Sequence, residues 1–143
     1  MHQYASSLLG EFEPMIPDRY APQTYALMRI VFGFQFLCHG LQKFGFLGSE
    51  AAALGAWPRG IAGPLEVILG ISILIGLLTR PIAFLAAGEM AVAYFSSHQP
   101  RGPLPILNNG EPAVLFCFAF LYMATRGAGI WSVDSMRGGS RSA

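Results

Sequence analysis

Apolar residues along the chain are gathered into four long runs, which cover roughly residues 24–47, 61–79, 81–97 and 111–126. A helix needs roughly 17–25 mostly apolar residues to cross a bilayer. The first two runs meet that length, and the last two are short but acceptable. The pattern therefore predicts an all-α membrane protein with four transmembrane helices.

Turn-forming residues separate the runs. Trp57-Pro58-Arg59-Gly60 precedes the second run, and a proline-rich stretch at 100–105 follows the third. The second and third runs are joined so closely at Thr79-Arg80-Pro81 that they must form an antiparallel hairpin. Because short connections join antiparallel neighbours, we expect an antiparallel, up-down-up-down four-helix bundle.

The chain divides into three parts on this interpretation. Residues 1–23 contain three prolines, which oppose a continuous helix, and are expected to lie along the cytoplasmic surface. Residues 24–126 form the transmembrane domain, and residues 127–143 form a cytoplasmic tail. The first residues lack the basic start, apolar run and cleavage site of a secretory signal peptide.

The composition agrees with a lipid environment. Hydrophobic residues make up 53% of the chain and charged residues only 12%. An average soluble domain is about 25% charged. The formal net charge of +1 provides no basic field for nucleic acid, so the expected partner is the lipid bilayer.

Basic residues are unevenly distributed between the two sides of the predicted bundle. The side that holds both termini and the second loop carries five of them: Arg19, Arg80, Arg126, Arg137 and Arg141. The other side carries Arg59 and Arg101, with Lys43 at its border. Because cytoplasmic loops carry an excess of Lys and Arg, both termini are predicted to be cytoplasmic.

Polar groups concentrate at one end of the runs. Counting a rise of about 1.5 Å per residue, each run contributes to one outer layer: His39 and Lys43, Glu66, His98 and Glu111. Either a Lys43–Glu66 or a His39–Glu66 pair is expected there. On the same face of the first run, Gly33 and Gly40 would let a neighbouring backbone approach closely.

Two further charges lie deeper in the runs. Arg29 and Glu89 fall within about one helical turn of each other in depth. A bare charge at the bilayer centre costs about 3 kcal/mol or more. We therefore predict that Arg29 and Glu89 form a structural ion pair.

The outer polar layer has two interpretations. It is either a clasp that holds the helices together, or a ligand or redox site in which His39 acts as an acid, a base or a hydrogen-bond donor. A metal bound by His39, Glu66, His98 and Glu111 is chemically possible, but the tight spacing of a metal motif is missing and no metal is predicted. Cys38 and Cys117 share a depth and either face each other or are separate buried thiols.

An ordered set of motifs resembles the DoxX family. Gly33-x-x-Phe36-x-x-His39-Gly40-x-x-Lys43 resembles its first helix, and Glu66-x-x-x-Gly70 with Gly76-x-x-Thr79-Arg80 its second. Met90-x-x-Ala93 with His98 is similar to the third helix. The fourth helix and its exit are matched by Asn108-Asn109-Gly110-Glu111-x-Ala113 and Gly127-x-Gly129-x-x-Ser132-x-Asp134.

The resemblance implies a four-helix protein of the bacterial inner membrane in a redox setting. We expect a component that binds quinone or serves a quinone-linked oxidoreductase, with His39, Lys43 and Glu66 as the catalytic candidates. The candidates for holding the cofactor are Phe36, His39, Phe44, Glu66, His98 and Glu111.

Electron supply decides between this function and its alternative. The chain has no haem-attachment motif and no dinucleotide-binding glycine motif, so electrons would come from a redox partner protein, the substrate or the two cysteines. Whether the chain is an enzyme is therefore left open. The alternative is a non-catalytic accessory or assembly subunit of a larger membrane complex, whose polar layer is a structural clasp.

Overall fold

The computed structural model describes residues 16–138, and within that range the fold is entirely helical. Its five α-helices are α1 (Ala21–Lys43), α2 (Arg59–Ile75), α3 (Thr79–Ala93), α4 (Glu111–Arg126) and the short α5 (Val133–Gly138). A π-helical segment, Tyr94–His98, and a 3-10 turn, Gln99–Arg101, continue α3. The all-α prediction is confirmed.

The four long helices pack antiparallel to their neighbours. Gly33 of α1 faces Gly70 of α2, and Gly40 faces Gly63, so the two helices run in opposite directions. A three-residue turn joins α2 to α3. At one end of α3, Arg80 donates to the carbonyl of Thr125, and beyond its other end His98 meets Asn108, so α3 and α4 are antiparallel as well.

Paired glycines set the contact between α1 and α2. A Cβ atom on Gly33 would lie 2.5 Å from the backbone nitrogen of Leu74, and a Cβ on Gly40 would lie 2.7 Å from that of Val67. Backbones can approach this closely only where side chains are absent. The expected role of Gly33 and Gly40 is therefore confirmed, and the neighbour that they admit is α2.

Aromatic rings from α1 and α4 fill the centre of the bundle. Phe36 and Phe120 are 0% exposed, and their ring centroids lie 4.9 Å apart in an edge-to-face arrangement. Phe32 and Phe116 extend this cluster with centroids 5.4 Å apart. Such contacts add about 0.5–1.5 kcal/mol per pair beyond the burial of apolar area, so they fix α4 across α1.

Large apolar side chains also cover the outer surface of the bundle. Each long helix exposes more than half of at least one of them: Phe34 on α1, Ile68 on α2, Phe84 on α3 and Phe118 on α4. Within residues 16–138, none of the helices combines the length and the mean hydropathy that a membrane crossing calls for.

Helix boundaries depart from the apolar runs where the backbone turns. The first run extends to residue 47, whereas α1 ends at Lys43 because Gly45 and Leu47 adopt positive φ angles of 88° and 57°. Helix α2 ends at Ile75, since Gly76 takes the left-handed conformation and donates to the carbonyl of Ile73. The pattern of apolar residues along the sequence does not predict such backbone angles.

The structure describes only part of the predicted amino-terminal segment and of the predicted tail. Helix α1 begins at Ala21, inside the segment predicted as interfacial, with Pro22 in its first turn. Residues 1–15 and 139–143 lie outside the described range, and with them most of that segment and the end of the tail. The tail itself contains α5, which the sequence pattern did not predict.

Candidate functional site

A cavity of about 460 Å³ opens at one end of the bundle, where α1 and α3 end and α2 and α4 begin. Helices α3 and α4 contribute apolar residues to its wall, Met90, Ala113 and Phe116 among them. Five polar residues of the predicted set reach it: His39, Lys43, Glu66, Glu89 and His98. The volume lies in the range of about 300–1,000 Å³ that small-molecule sites occupy.

A buried ion pair forms one wall of this cavity. The Lys43 ammonium lies 2.5 Å from Oε2 of Glu66, whose side chain is 3% exposed against 19% for Lys43. The close contact of Gly40 with Gly63 brings the two helices near enough for this pairing. Of the two pairs that the sequence allowed in the outer layer, the structure forms Lys43–Glu66.

His39 lies at the rim of the cavity, one turn before Lys43. Its ring stands edge-to-face against Phe116, with centroids 5.6 Å apart. The side chain is accessible, and within residues 16–138 it has no hydrogen bond. His39 is therefore placed to meet a molecule that enters the cavity.

The π-helical segment positions His98 on the opposite wall. Its Nδ1 lies 3.2 Å from the carbonyl oxygen of Asn108, and its ring stacks on Tyr94 at 17°. A carbonyl only accepts, so Nδ1 carries the proton and Nε2 of the neutral ring is an acceptor. Asn108 is itself fixed, because its side chain donates to the Gly102 carbonyl and accepts from the Gly110 N–H.

Glu89 belongs to this cavity and not to an ion pair with Arg29. It lines the wall beside Met90. Its Oε2 atom is buried and has no hydrogen-bond partner in the part of the chain that the structure describes. The predicted Arg29–Glu89 pair is wrong, because similar depth along two helices does not place two side chains on facing sides.

Arg29 instead binds backbone carbonyls at the other end of the bundle. It is 0% exposed. Its guanidinium donates to the carbonyls of Ile73 at 2.8 Å and Leu74 at 2.6 Å, near the end of α2. It also donates to three carbonyls of the segment after α4: Ala128 at 2.9 Å, Ile130 at 3.3 Å and Trp131 at 2.6 Å. One cation thus joins the carbonyls at the end of α2 to those of the segment after α4.

The motif residues Thr79 and Asp134 lie at this same end of the bundle, opposite the cavity, which we call the closed end. The Asp134 carboxylate accepts from the backbone N–H groups of Leu78 and Thr79, each at 2.8 Å, and so caps α3 from the tail. Partial burial raises the pKa of Asp134, but these hydrogen bonds outweigh that effect and hold the pKa below its ordinary value of 3.8. Arg80 donates to the Thr125 carbonyl at 2.5 Å, at the end of α4.

Three predicted cofactor-binding residues lie outside the cavity. Phe36 is in the buried aromatic core, Phe44 is exposed beyond the end of α1, and Glu111 is exposed in the first turn of α4. Four polar residues outside the predicted site do line it: Arg59, Ser97, Arg101 and Asn109. Their depth along the chain could have indicated that they belong to the outer layer. The two arginines were considered only in the count of basic residues on each side.

No cluster of three or more His, Cys, Asp or Glu side chains that could hold a metal ion occurs in residues 16–138.

Cys38 and Cys117 are separate free thiols, each partly buried. Cys117 packs against the aromatic core.

Comparison with known proteins places the chain in a family. The DoxX family profile matches residues 24–99. A protein of Haemophilus influenzae, described as uncharacterized, is 37% identical over 126 residues, which cover 82% of this chain and 93% of the relative. An uncharacterized membrane protein of Mycobacterium tuberculosis is 24% identical over 142 residues, with 85% of each chain covered. No solved structure matches. The resemblance seen in the motifs is therefore confirmed, and the chain belongs to the DoxX family.

Proposed function

We propose that the chain is a multi-pass membrane protein whose four long helices cross the bilayer. The support is the outer surface of the bundle, where Phe34, Ile68, Phe84 and Phe118 are exposed by 56%, 61%, 64% and 67%. Large apolar side chains exposed on every long helix are costly in water and suited to lipid. The Mycobacterium tuberculosis relative is described as a membrane protein, which agrees with this proposal.

The two ends of the bundle support an orientation with the cavity on the outer side of a bacterial inner membrane. The closed end carries Arg19, Arg80, Arg126 and Arg137, and the cavity end carries Arg59, Arg101 and Lys43. The excess of basic residues favours the closed end, and with it both termini, on the cytoplasmic side. Labelling Leu54→Cys and Ser135→Cys, each in a chain with Cys38→Ser and Cys117→Ser, with a membrane-impermeant maleimide in spheroplasts would test this. Only the cysteine at 54 should react.

The function that the cavity supports best is binding of a quinone within a redox system of the membrane. The observation that carries it is a cavity of suitable size, open at the end of an apolar bundle, with one buried ion pair in its wall. Phe116 and Met90 give the apolar surface that a flat ring would contact. Lys43 and His39 are the groups that would donate to its carbonyl oxygens.

A bound quinone would supply a carrier for two electrons and two protons. The chain's own residues would bind and orient it. Glu66 fixes the Lys43 ammonium at 2.5 Å, which directs its other N–H bonds and keeps the charge neutralised in a poorly solvated wall. His39 stands at the rim, where its ring can donate a hydrogen bond to the ligand. Phe116 joins the cavity wall to the aromatic core formed with Phe36 and Phe120.

Equilibrium binding of decylubiquinone to the protein in lipid nanodiscs tests this proposal. Lys43→Met removes one donor to the ligand, and His39→Ala removes the other. We expect each variant to bind about tenfold more weakly, as for the loss of a hydrogen bond from a charged or polar donor. The matched control is Gln42→Ala, on the same turn of α1 but outside the cavity, and it should bind like the wild type.

Two results would contradict the proposal. One is wild-type affinity in both cavity variants. The other is a wild-type protein that binds no quinone but is isolated from native membranes with a stoichiometric partner chain. The second result would favour the accessory or assembly subunit, with the Lys43–Glu66 pair acting as a structural clasp.

A further inference from the structure

Two carboxyl groups line the cavity, but they have different surroundings. Glu66 has the Lys43 ammonium at 2.5 Å. Glu89 lines the same cavity, and its Oε2 is buried without a hydrogen-bond donor from any residue in the range 16–138. The charge of the one lysine in the wall is therefore already committed to Glu66.

The other charged groups around the cavity do not replace that lysine. Helix α2 presents Arg59, and the 3-10 turn after α3 presents Arg101; both are exposed at the mouth, and within residues 16–138 neither is paired with a carboxylate. His39 and His98 lie on the rim and the opposite wall, and α4 contributes apolar residues, Ala113 and Phe116 among them. An ionised Glu89 would thus have a second carboxylate in its cavity and no cation of its own.

The physical consequence is a strong preference for the uncharged form. A buried oxygen without a donor costs far more as part of a carboxylate than as part of a carboxyl group. A neighbouring like charge acts in the same direction. A neutral carboxyl also carries an O–H, which a carboxylate lacks, and so becomes a hydrogen-bond donor.

We propose that Glu89 is a neutral, proton-bearing carboxyl group at neutral pH, and that it donates a hydrogen bond to an acceptor on the molecule in the cavity. The site would then select a ligand with carbonyl or other acceptor oxygens on the α3 side, beyond those that Lys43 addresses. The identity of the ligand as a quinone rests on the proposed function. The protonation of Glu89 does not.

Infrared difference spectroscopy of the protein in lipid nanodiscs at pH 7, in H₂O and D₂O, tests the protonation directly. We expect a protonated-carboxyl C=O band that shifts in D₂O and is absent from Glu89→Gln. The band should persist in Asp134→Asn, which acts as the matched carboxyl control. A wild-type spectrum without the band, or a band that survives Glu89→Gln, would overturn the proposal.

Binding of decylubiquinone tests the donor role. Glu89→Gln keeps a donor of the same shape and should bind within about threefold of the wild type, whereas Glu89→Leu should bind about tenfold more weakly. Because Glu89→Leu removes an unpaired buried polar group, it should be at least as thermostable as the wild type. If it nevertheless fails to fold, Glu89→Met takes its place.

The outcomes separate this proposal from the proposed function. Wild-type affinity in Glu89→Leu would refute the donor role, whatever the infrared result. A wild type that binds no quinone would refute the quinone assignment, and the infrared band would then decide the state of Glu89 by itself.

Discussion

Replacing Arg29 by methionine should remove the main connection between the end of α2 and the segment after α4. The change removes five hydrogen bonds to backbone carbonyls, three of them at 2.6–2.8 Å. A hydrogen bond to a charged group contributes about 1.5–3 kcal/mol, but contributions within one network are not additive. Counting about two independent bonds gives a loss of about 3–6 kcal/mol.

That loss is large against a total stability of about 5–15 kcal/mol. Lysine at position 29 keeps the charge and three donors and should recover part of it. The assay is the thermal unfolding midpoint in one detergent at a fixed scan rate, with the order wild type, Arg29→Lys, Arg29→Met from most to least stable. A midpoint for Arg29→Met within the error of the wild type would refute the carbonyl network as the stabilising feature.

A double-mutant cycle distinguishes this network from the ion pair that depth alone suggested. Arg29 and Glu89 do not touch, so the effects of Arg29→Lys and Glu89→Gln should add within about 0.5 kcal/mol. A coupling energy above about 1 kcal/mol would show that the two side chains interact after all.

Three further predictions concern the helix contacts, the buried pair and the tail. Gly33→Ala should lower stability by about 1–3 kcal/mol, since the new Cβ meets the α2 backbone, whereas Gly88→Ala has no atom within 4 Å and should be neutral or stabilising. Lys43→Met should cost about 3–5 kcal/mol because it leaves Glu66 buried and unpaired, and the added change Glu66→Leu should restore most of that loss. The pKa of Asp134 is lowered by folding, so its contribution is complete above pH 3.8 and is lost as pH falls through the lower folded value; acid unfolding of Asp134→Asn should lack this component.

Each of these has a result that would count against it. Equal midpoints for Gly33→Ala and Gly88→Ala would mean that the α1–α2 distance is not set by glycine. A double variant of Lys43 and Glu66 that is no more stable than Lys43→Met would show that the unpaired carboxylate is not the cause. Parallel stability curves for wild type and Asp134→Asn between pH 5 and pH 2 would exclude the cap as an acid-sensitive contact. Far-UV circular dichroism on every variant checks that the helices are retained.

The sequence placed several features of the site correctly because depth along a helix follows from residue count. His39, Lys43, Glu66 and His98 meet in one layer, as a constant rise per residue predicts. Glu111 has the same depth but turns outward, and Phe36 turns into the core. Depth is a one-dimensional quantity, and the direction of a side chain around the helix depends on how each helix is rotated against its neighbours.

The same limit explains why the sequence predicts a wrong partner for Arg29 and does not place Glu89 in the cavity. The sequence predicts a carboxylate partner for a buried arginine. In the structure the acceptors are backbone carbonyls at the end of α2 and in the segment after α4, which residue type does not indicate. At the same end, Asp134 caps the start of α3 from 55 residues away in sequence. Because every residue has a backbone carbonyl, the sequence does not indicate which carbonyls accept a hydrogen bond.

The sequence by itself determined the helical class, the four apolar runs, the glycine faces and the membership of the DoxX family. These depend on composition and on spacing within one segment, which local physical rules describe. Only the tertiary structure decided that Lys43 and not His39 pairs with Glu66, that Arg29 binds carbonyls, and that Glu89 faces the cavity. Those outcomes depend on the rotation and distance of separate helices, which are set jointly by all the contacts of the packed bundle.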